Sequence, residues 1–314
     1  MMKKIHILGP NPEAFSNELS YLFPEVNFSI GSSRDDFGDS IDEYDILFAF
    51  SDFLSPHSFR QKNKIRWVQS LGAGLDGMID SPYLEDSVIF SSMRGIHGPQ
   101  VSELVFMLML SLSRNYSRAM QNQLNCVWER WPGKTLKNKT IGLLGVGSIS
   151  EAVAKRCKAF DMRVVGITSK QRKLNNFDEI VTRNELIPVA KELDYLVVLV
   201  PLTNETRGIV NEHVFLAMKP TAYLINVARG GVVDETALIA ALKNGDIAGA
   251  GLDVFEHEPL PADSPLWSQQ NLILTPHLGG MVDVYLEQAM PLLIHNIKAF
   301  LNGNEDNMLN VASR

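Results

Sequence analysis

The sequence predicts an α/β chain of two doubly wound parallel sheets, with one unit inserted into the other. Three observations predict it. Short apolar runs bounded by turn residues alternate with helix-patterned segments along the chain. The pattern restarts after Trp131-Pro132-Gly133 with a second, longer series. That second series opens on GVGSIS, residues 145–150, a glycine-rich turn between a strand and a helix. At 314 residues the chain is long for one domain and sufficient for two.

In order, the first series contains the strand candidates Lys4–Leu8, Val26–Ile30, Asp45–Phe50, Ile65–Gln69 and Val88–Phe90. Each is short and apolar, as in a parallel sheet covered on both faces. A helix of about five turns follows, entered through Pro99 and continuing toward residue 122. The second series holds Thr140–Leu144, Arg163–Ile167, Tyr195–Val200, Ala222–Val227, Ala248–Val254 and Leu272–Thr275. Helices are expected over Ile149–Phe160, Asn184–Lys191, Asn211–Ala217 and Glu235–Lys243, the last with Asp234 as N-cap and Gly245 as its stop. Six strands with crossovers is the count of a full dinucleotide-binding sheet. Val282–Leu301 is again helical in pattern, so residues 99–280 form the inserted unit and residues 1–98 with 281–314 the smaller one.

The totals exclude several classes. A net charge of −7 and a pI of about 5.5 argue against a broad nucleic-acid-binding face. Cys126 and Cys157 are too few for a disulfide framework or a metal cluster, and no metal site is expected. The apolar run after the N-terminal lysines is too brief for a signal peptide, and LVFMLMLSL at 104–112 is too short to span a bilayer. A cytoplasmic location is the expectation.

In the glycine turn, Gly145 permits the tight bend and Gly147 lets backbone approach a pyrophosphate seated on the helix N-terminus, at Ser148 and Ile149. Ser150 stands where a third glycine is common, so a small packing adjustment is expected. A carboxylate at the end of the second strand would hold the adenosine ribose hydroxyls. Here that strand runs instead into Thr168, Ser169, Lys170, Gln171, Arg172 and Lys173, with no acid before Asp178. Small donors and cations there suit a 2′-phosphate, so NADP(H) is the expected cofactor, with NAD(H) possible; the alternative is a solvated basic loop.

Three further stretches each follow an apolar strand. NVARGGVVDE, residues 226–235, carries Arg229, which can hold a carboxylate through two parallel hydrogen bonds or pair with a structural acid. GLDVFEHEPL, residues 251–260, carries Asp253 and Glu258, and TPHLGG, residues 275–280, carries His277. A histidine titrates near neutrality and can give and take a proton, and a carboxylate behind it fixes its tautomer and favours its protonated form. Singly each residue has a structural reading; after successive strands they form a matched set.

These motifs, with VPLTNETRGIV (200–210), LGAGLDGM (71–78) and RGIHGPQVSE (94–103), resemble those of the D-isomer-specific 2-hydroxyacid dehydrogenases, in order and spacing, over nearly the whole chain. The resemblance implies two Rossmann-like domains, with the cofactor domain inserted into a smaller, flavodoxin-like substrate domain. It implies Arg229, Glu258 and His277 as the catalytic set and Asp253 beside the nicotinamide carboxamide. It places Pro201, Thr206 and Val227 along the cofactor groove. The backbone of Leu71, Gly72, Ala73 and Gly74 would receive the substrate carboxylate. Arg94 would see the substrate or make an ion pair. Trp128 and Trp131 would pack, reach the site or meet a partner subunit, and His97 reads as structural.

The implied reaction is reduction of a small 2-keto acid, such as glyoxylate or hydroxypyruvate, by NADPH in a homodimer, without nucleic acid or membrane. The compact chain favours that over the longer phosphoglycerate dehydrogenases. The alternative on the same fold is a cofactor-sensing, corepressor-like binding protein.

Overall fold

The computed structural model describes residues 2–32, 43–54, 58–59 and 63–312. The elements, in chain order, are β1 (Lys3–Leu8), α1 (Pro12–Leu22), β2 (Val26–Gly31), β3 (Ile46–Ala49), β4 (Trp67–Ser70), β5 (Ile89–Ser91), α2 (Gly98–Arg114) and α3 (Tyr116–Leu124). Next come β6 (Thr140–Leu144), α4 (Ser148–Ala159), β7 (Arg163–Thr168), β8 (Glu179–Thr182), α5 (Leu186–Ala190), β9 (Tyr195–Val198) and α6 (Glu212–Ala217). The chain finishes with β10 (Tyr223–Asn226), α7 (Glu235–Asn244), β11 (Gly249–Leu252), β12 (Leu272–Leu274), α8 (Tyr285–Leu301) and β13 (Val311–Ala312). They fall into two compact units, Met1–His97 with Val282–Arg314, and Gly98–Met281.

The smaller unit holds a sheet in the order β13-β5-β4-β3-β1-β2. The five parallel strands follow the 2-1-3-4-5 order of flavodoxin-like sheets, and β13 adds an antiparallel edge against β5. Both faces are covered, which is why the central strand β3, ILFA, is apolar and buried at every position. Ile46 and Phe48 of β3 pack with Phe15 and Leu19 of α1 and with Leu293, Ile297 and Phe300 of α8. The alternate residues Leu47 and Ala49 join Val68, Phe90, Leu54 and Leu84 on the other face. Trp67 is fully buried, and its indole N–H donates to Ser91 Oγ at 2.7 Å, so its one polar atom is matched.

The larger unit is ordered β12-β11-β10-β9-β6-β7-β8, every pair parallel. Counted from β6 this is the doubly wound order 3-2-1-4-5-6 with β12 appended. Leu196, Val198 and Leu224 face a core with Phe215 of α6 and Leu238 of α7. Tyr195, Val197 and Ile225 face Val105, Leu108 and Met109 of α2 and Val153 of α4. The caps expected for α7 are present: Asp234 accepts from the Ala237 N–H at 3.0 Å, and Gly245 takes φ 75°.

Two expectations need correction, and one strand has no counterpart among them. The larger sheet has seven strands among the described residues, because β8 is the edge strand beside β7. Its sequence, EIVT, is short, begins on a charge and buries only Val181, so it carries no continuous apolar run. The long helix after Pro99 is two helices, broken at Asn115 with φ 53° in the left-handed region. The two-residue β13 has no sequence pattern of its own; it exists because β5 offers it an edge.

Candidate functional site

Because the strands of the larger sheet are parallel, their carboxyl ends share one edge, where open α/β sheets gather ligands. The residues after β10, β11 and β12 meet there. His277 Nδ1 lies 2.7 Å from Glu258 Oε2, and the other carboxylate oxygen, Oε1, accepts the Phe255 N–H at 2.8 Å. Burial alone would raise the Glu258 carboxyl. The His277 hydrogen bond, the Phe255 N–H and the charges of His277 and Arg229 outweigh burial and hold the carboxyl below its usual value. Both side chains keep about a third of their surface exposed, 33% for His277 and 30% for Glu258.

The backbone around this pair is tightly specified. His277 has φ 53°, uncommon for a non-glycine residue. Its N–H points to the Asp253 carbonyl at 2.8 Å and the Thr275 carbonyl at 3.0 Å. The Asp253 side chain is wholly buried. Its carboxylate accepts from Thr275 Oγ1 at 2.6 Å, the Leu278 N–H at 2.8 Å and the Gly279 N–H at 2.8 Å. Asp253 therefore staples the loop that carries His277.

Arg229 is positioned in the same way. Buried Asn226 donates to the Arg229 carbonyl at 3.0 Å and accepts the Ala228 N–H at 3.1 Å. One guanidinium nitrogen of Arg229 donates to the Ala228 carbonyl at 2.7 Å. At Gly230 a Cβ would stand 1.8 Å from the Phe255 carbonyl carbon, so the loops after β10 and β11 meet backbone to backbone. That contact brings Arg229 and Glu258 to one place.

At the β6–α4 turn, Gly145 has φ 106°, and a Cβ there would lie 2.7 Å from Leu199 backbone. Ser150 is buried; its hydroxyl accepts the Gly147 N–H at 2.6 Å and donates to the Gly147 carbonyl at 2.8 Å. The serine fits without distortion and locks the turn. Arg172 extends its guanidinium to the Val146 carbonyl at 2.8 Å, over the turn. Ser169, Lys170 and Arg172 are exposed and Thr168 is half-buried. Asp178, the first acid downstream, is committed elsewhere: it accepts the Val164 N–H at 2.7 Å and pairs with Lys158 at 2.8 Å.

In the smaller unit, Gly72–Gly74 form a turn after β4, with Ala73 exposed. Arg94 is exposed, and the Asn310 side-chain amide holds its carbonyl at 2.7 Å.

Residues 106–279 match the sequence model of the D-isomer specific 2-hydroxyacid dehydrogenase, NAD binding domain. The chain belongs to this family.

Two curated relatives set its range. The chain is 34% identical to the glyoxylate reductase of Pyrococcus furiosus over 96% of this chain and 94% of that one. It is 32% identical to the D-3-phosphoglycerate dehydrogenase of Methanocaldococcus jannaschii over 91% of this chain, but spans only 56% of that protein's length. Among solved structures, a D-isomer specific 2-hydroxyacid dehydrogenase family protein from Aeromonas salmonicida superposes with TM-score 0.89 at 31% identity, covering 99% of each chain. An NADPH-dependent glyoxylate/hydroxypyruvate reductase from Sinorhizobium meliloti, crystallised with NADP and sulfate, superposes with TM-score 0.84 at 26% identity, covering 99% of this chain and 98% of that one.

The turn of this dehydrogenase fits a dinucleotide. A Cβ at Gly147 would meet nothing within 4 Å, so the backbone there is open to a close-packed ligand. The first N–H groups of α4, from Ser148 and Ile149, have no acceptor within the helix. Val227 is half-buried and Pro201 exposed at the same strand ends. Two residues expected at the cofactor spend their side-chain hydrogen bonds within the chain. Thr206 is fully buried, and its hydroxyl donates to the Pro201 carbonyl at 2.6 Å and accepts the Thr203 N–H at 2.8 Å. Thr206 and Asp253 both hold loops and expose no side-chain surface.

Sequence reasoning missed Asn226 and Thr275 among the positioning groups. Both lie inside the quoted motifs, one beside the arginine and one beside the histidine, but hydrogen-bond partners in space leave no mark in spacing. Cys157 is buried with its thiol pushed up to about 12 by desolvation, which makes it inert. Among the described residues no cluster of metal-binding side chains occurs, and no helix is long and apolar enough to cross a membrane.

Proposed function

We propose that this dehydrogenase reduces a small 2-keto acid of the glyoxylate or hydroxypyruvate type to the D-2-hydroxy acid, reversibly and with NADPH. The observation that carries the reading is the Glu258–His277 pair at 2.7 Å, beside Arg229, on the carboxyl edge of the sheet. The relatives named glyoxylate reductase support the substrate class.

Bound reduced nicotinamide supplies the hydride; the chain supplies everything else. Glu258 accepts a hydrogen bond from Nδ1–H of protonated His277, which leaves Nε2–H as the group that gives its proton to the carbonyl oxygen, so that His277 ends neutral. Arg229 holds the carboxylate and stabilises negative charge developing on that oxygen. The backbone of Leu71–Gly74 receives the substrate carboxylate, and Arg94 is a further substrate-binding residue. In the oxidative direction neutral His277 is the base. Residues 99–280 act as the cofactor domain and residues 1–98 with 281–314 as the substrate domain.

The cofactor choice rests on charge. A carboxylate at Thr168 would accept ribose hydroxyls and repel a 2′-phosphate. This chain instead offers Thr168 and Ser169 as donors, with Lys170 and Arg172 as cations, and Arg172 already lies over the glycine turn. NAD(H) is the weaker cofactor.

The chain acts as a homodimer. Helix α3 buries none of its residues, and Tyr116, Leu124, Val127 and Trp128 stand 56%, 80%, 51% and 89% exposed along it and just beyond. An apolar patch of that kind marks an interaction surface, and a second copy covers it.

The test is a rate panel of 2-keto acids with NADPH and NADH, on the wild type and on a Lys170→Ala, Arg172→Ala double variant. The reading expects turnover of glyoxylate or hydroxypyruvate and a KM for NADPH that rises in the double variant while that for NADH holds. No turnover of any 2-keto acid sinks the activity; a wild-type preference for NADH sinks the cofactor assignment.

A further inference from the structure

The turn after β4 is held by more than its glycines. The Tyr285 hydroxyl, at the start of α8, donates to the Leu71 carbonyl. Ser70 Oγ accepts the Gly72 N–H at 3.1 Å and donates to the Gly74 carbonyl at 2.6 Å. The Met93 N–H donates to the Gly72 carbonyl at 2.9 Å. The carbonyls of Leu71, Gly72 and Gly74 therefore all have donors.

The planarity of the peptide makes this directional. In the Leu71–Gly72 peptide, Tyr285 holds the carbonyl and Ser70 the N–H, so that plane is fixed from both sides. In the Gly72–Ala73 peptide, the held carbonyl turns the Ala73 N–H the opposite way. Ala73 is exposed, and its N–H makes no hydrogen bond among the described residues. The turn thus presents an N–H outward, as a carboxylate requires.

We propose that Tyr285, with Ser70, is a positioning residue that presets the Ala73 turn for the substrate carboxylate. The proposal rests on the reading of Leu71–Gly74 as the carboxylate-binding turn. Three features suit Tyr285 to the task. Its ring is wedged between Phe15, Phe50 and His97, with centroids 6.4, 5.8 and 5.8 Å away, so the hydroxyl has little freedom. Burial pushes the phenol well above its ordinary value, so it remains a donor throughout the working pH range. And Tyr285 comes from the C-terminal return of the chain, more than two hundred residues after the turn it holds.

Tyr285→Phe keeps the ring packing and removes only the donor. Initial rates with glyoxylate and NADPH, binding of the keto-acid analogue oxamate to the enzyme–cofactor complex, and thermal melting are measured. They are measured for Tyr285→Phe, for Ser70→Ala and for Ala73→Asp, which sets a carboxylate on the exposed turn itself. Expected for Tyr285→Phe and Ser70→Ala is a roughly 5- to 10-fold rise in the KM for glyoxylate and in the oxamate dissociation constant, the loss of one buried hydrogen bond. The KM for NADPH holds at the wild-type value, and the melting temperature falls by no more than the roughly 2–4 °C that one lost hydrogen bond accounts for. Ala73→Asp raises the glyoxylate KM at least as far.

If Ala73→Asp weakens glyoxylate binding but Tyr285→Phe leaves it unchanged, the turn binds carboxylate and the positioning role is overturned. If neither moves it, the carboxylate-turn reading fails and the proposal falls with it. If Tyr285→Phe lowers the melting temperature well beyond that and weakens NADPH as well, the tyrosine is merely structural and the proposal is overturned.

Discussion

Replacing Glu258 by Gln keeps the size of the side chain and removes its charge. The amide oxygen can still accept the Phe255 N–H, now 2.8 Å from Oε1. The amide nitrogen then faces His277 Nδ1, which becomes an acceptor, so the imidazole must move its proton to Nε2. The protonated imidazole also loses the carboxylate at 2.7 Å that stabilises it. A charge-assisted hydrogen bond contributes about 1.5–3 kcal/mol net. At about 1.4 kcal/mol per tenfold in rate, kcat/KM for keto-acid reduction falls about 10- to 100-fold near neutral pH.

The pH dependence carries the sign. In the proposed reaction reduction needs protonated His277, so the rate is expected to fall as pH rises, and in Glu258→Gln that fall begins at lower pH. Stability follows the carboxylate. The Glu258 carboxyl sits below its usual value in the fold, so its contribution is present above the unfolded value and is lost as pH falls through the folded one. The melting difference between wild type and Glu258→Gln is therefore full at neutral pH and narrows in acid. NADPH-consumption rates and melting curves across a pH series test both. A variant within threefold of wild type, with an unmoved alkaline limb, would refute the acid–carboxylate reasoning.

Three other outcomes follow from the same geometry. His277→Ala lowers kcat about 10²- to 10⁴-fold, the usual yield of a positioned general acid, while cofactor affinity by fluorescence titration holds. Gly230→Ala has no room for its methyl, because backbone lies 1.8 Å from the Cβ position. The variant loses folded yield or melts far lower, and wild-type melting with wild-type rate would contradict the packing of the two loops. A Leu124→Asp, Trp128→Ser variant, changed only at exposed positions, sediments as a monomer with an unchanged circular dichroism spectrum. A wild type that is itself monomeric would remove the dimer.

The fold class was legible because parallel strands buried on both faces must be apolar throughout, and helices between them must carry the 3.6 period. Strand β8 escaped because an edge strand needs only one buried residue, here Val181. Arg229, Glu258 and His277 were legible because each stands just past an apolar strand, and parallel strands carry such positions to one edge. The roles of Asp253 and Thr206 were not. A polar residue near a strand end reads the same in sequence whether it faces a ligand or turns inward to hold a loop.

By itself, then, the sequence determined which chemical groups lie at the carboxyl edge, which strand lacks its acid, and where the helices start and stop. These depend on local periodicity, caps and turn residues. Only the tertiary structure decided that Asn226, Asp253 and Thr206 are buried clamps, that Ser150 locks the glycine turn, and that Tyr285 reaches back to Leu71. Those facts depend on which backbone atoms come within about 3 Å of one another, the reach of a hydrogen bond. Distances that short join residues far apart in the chain, and no pattern along the chain records them.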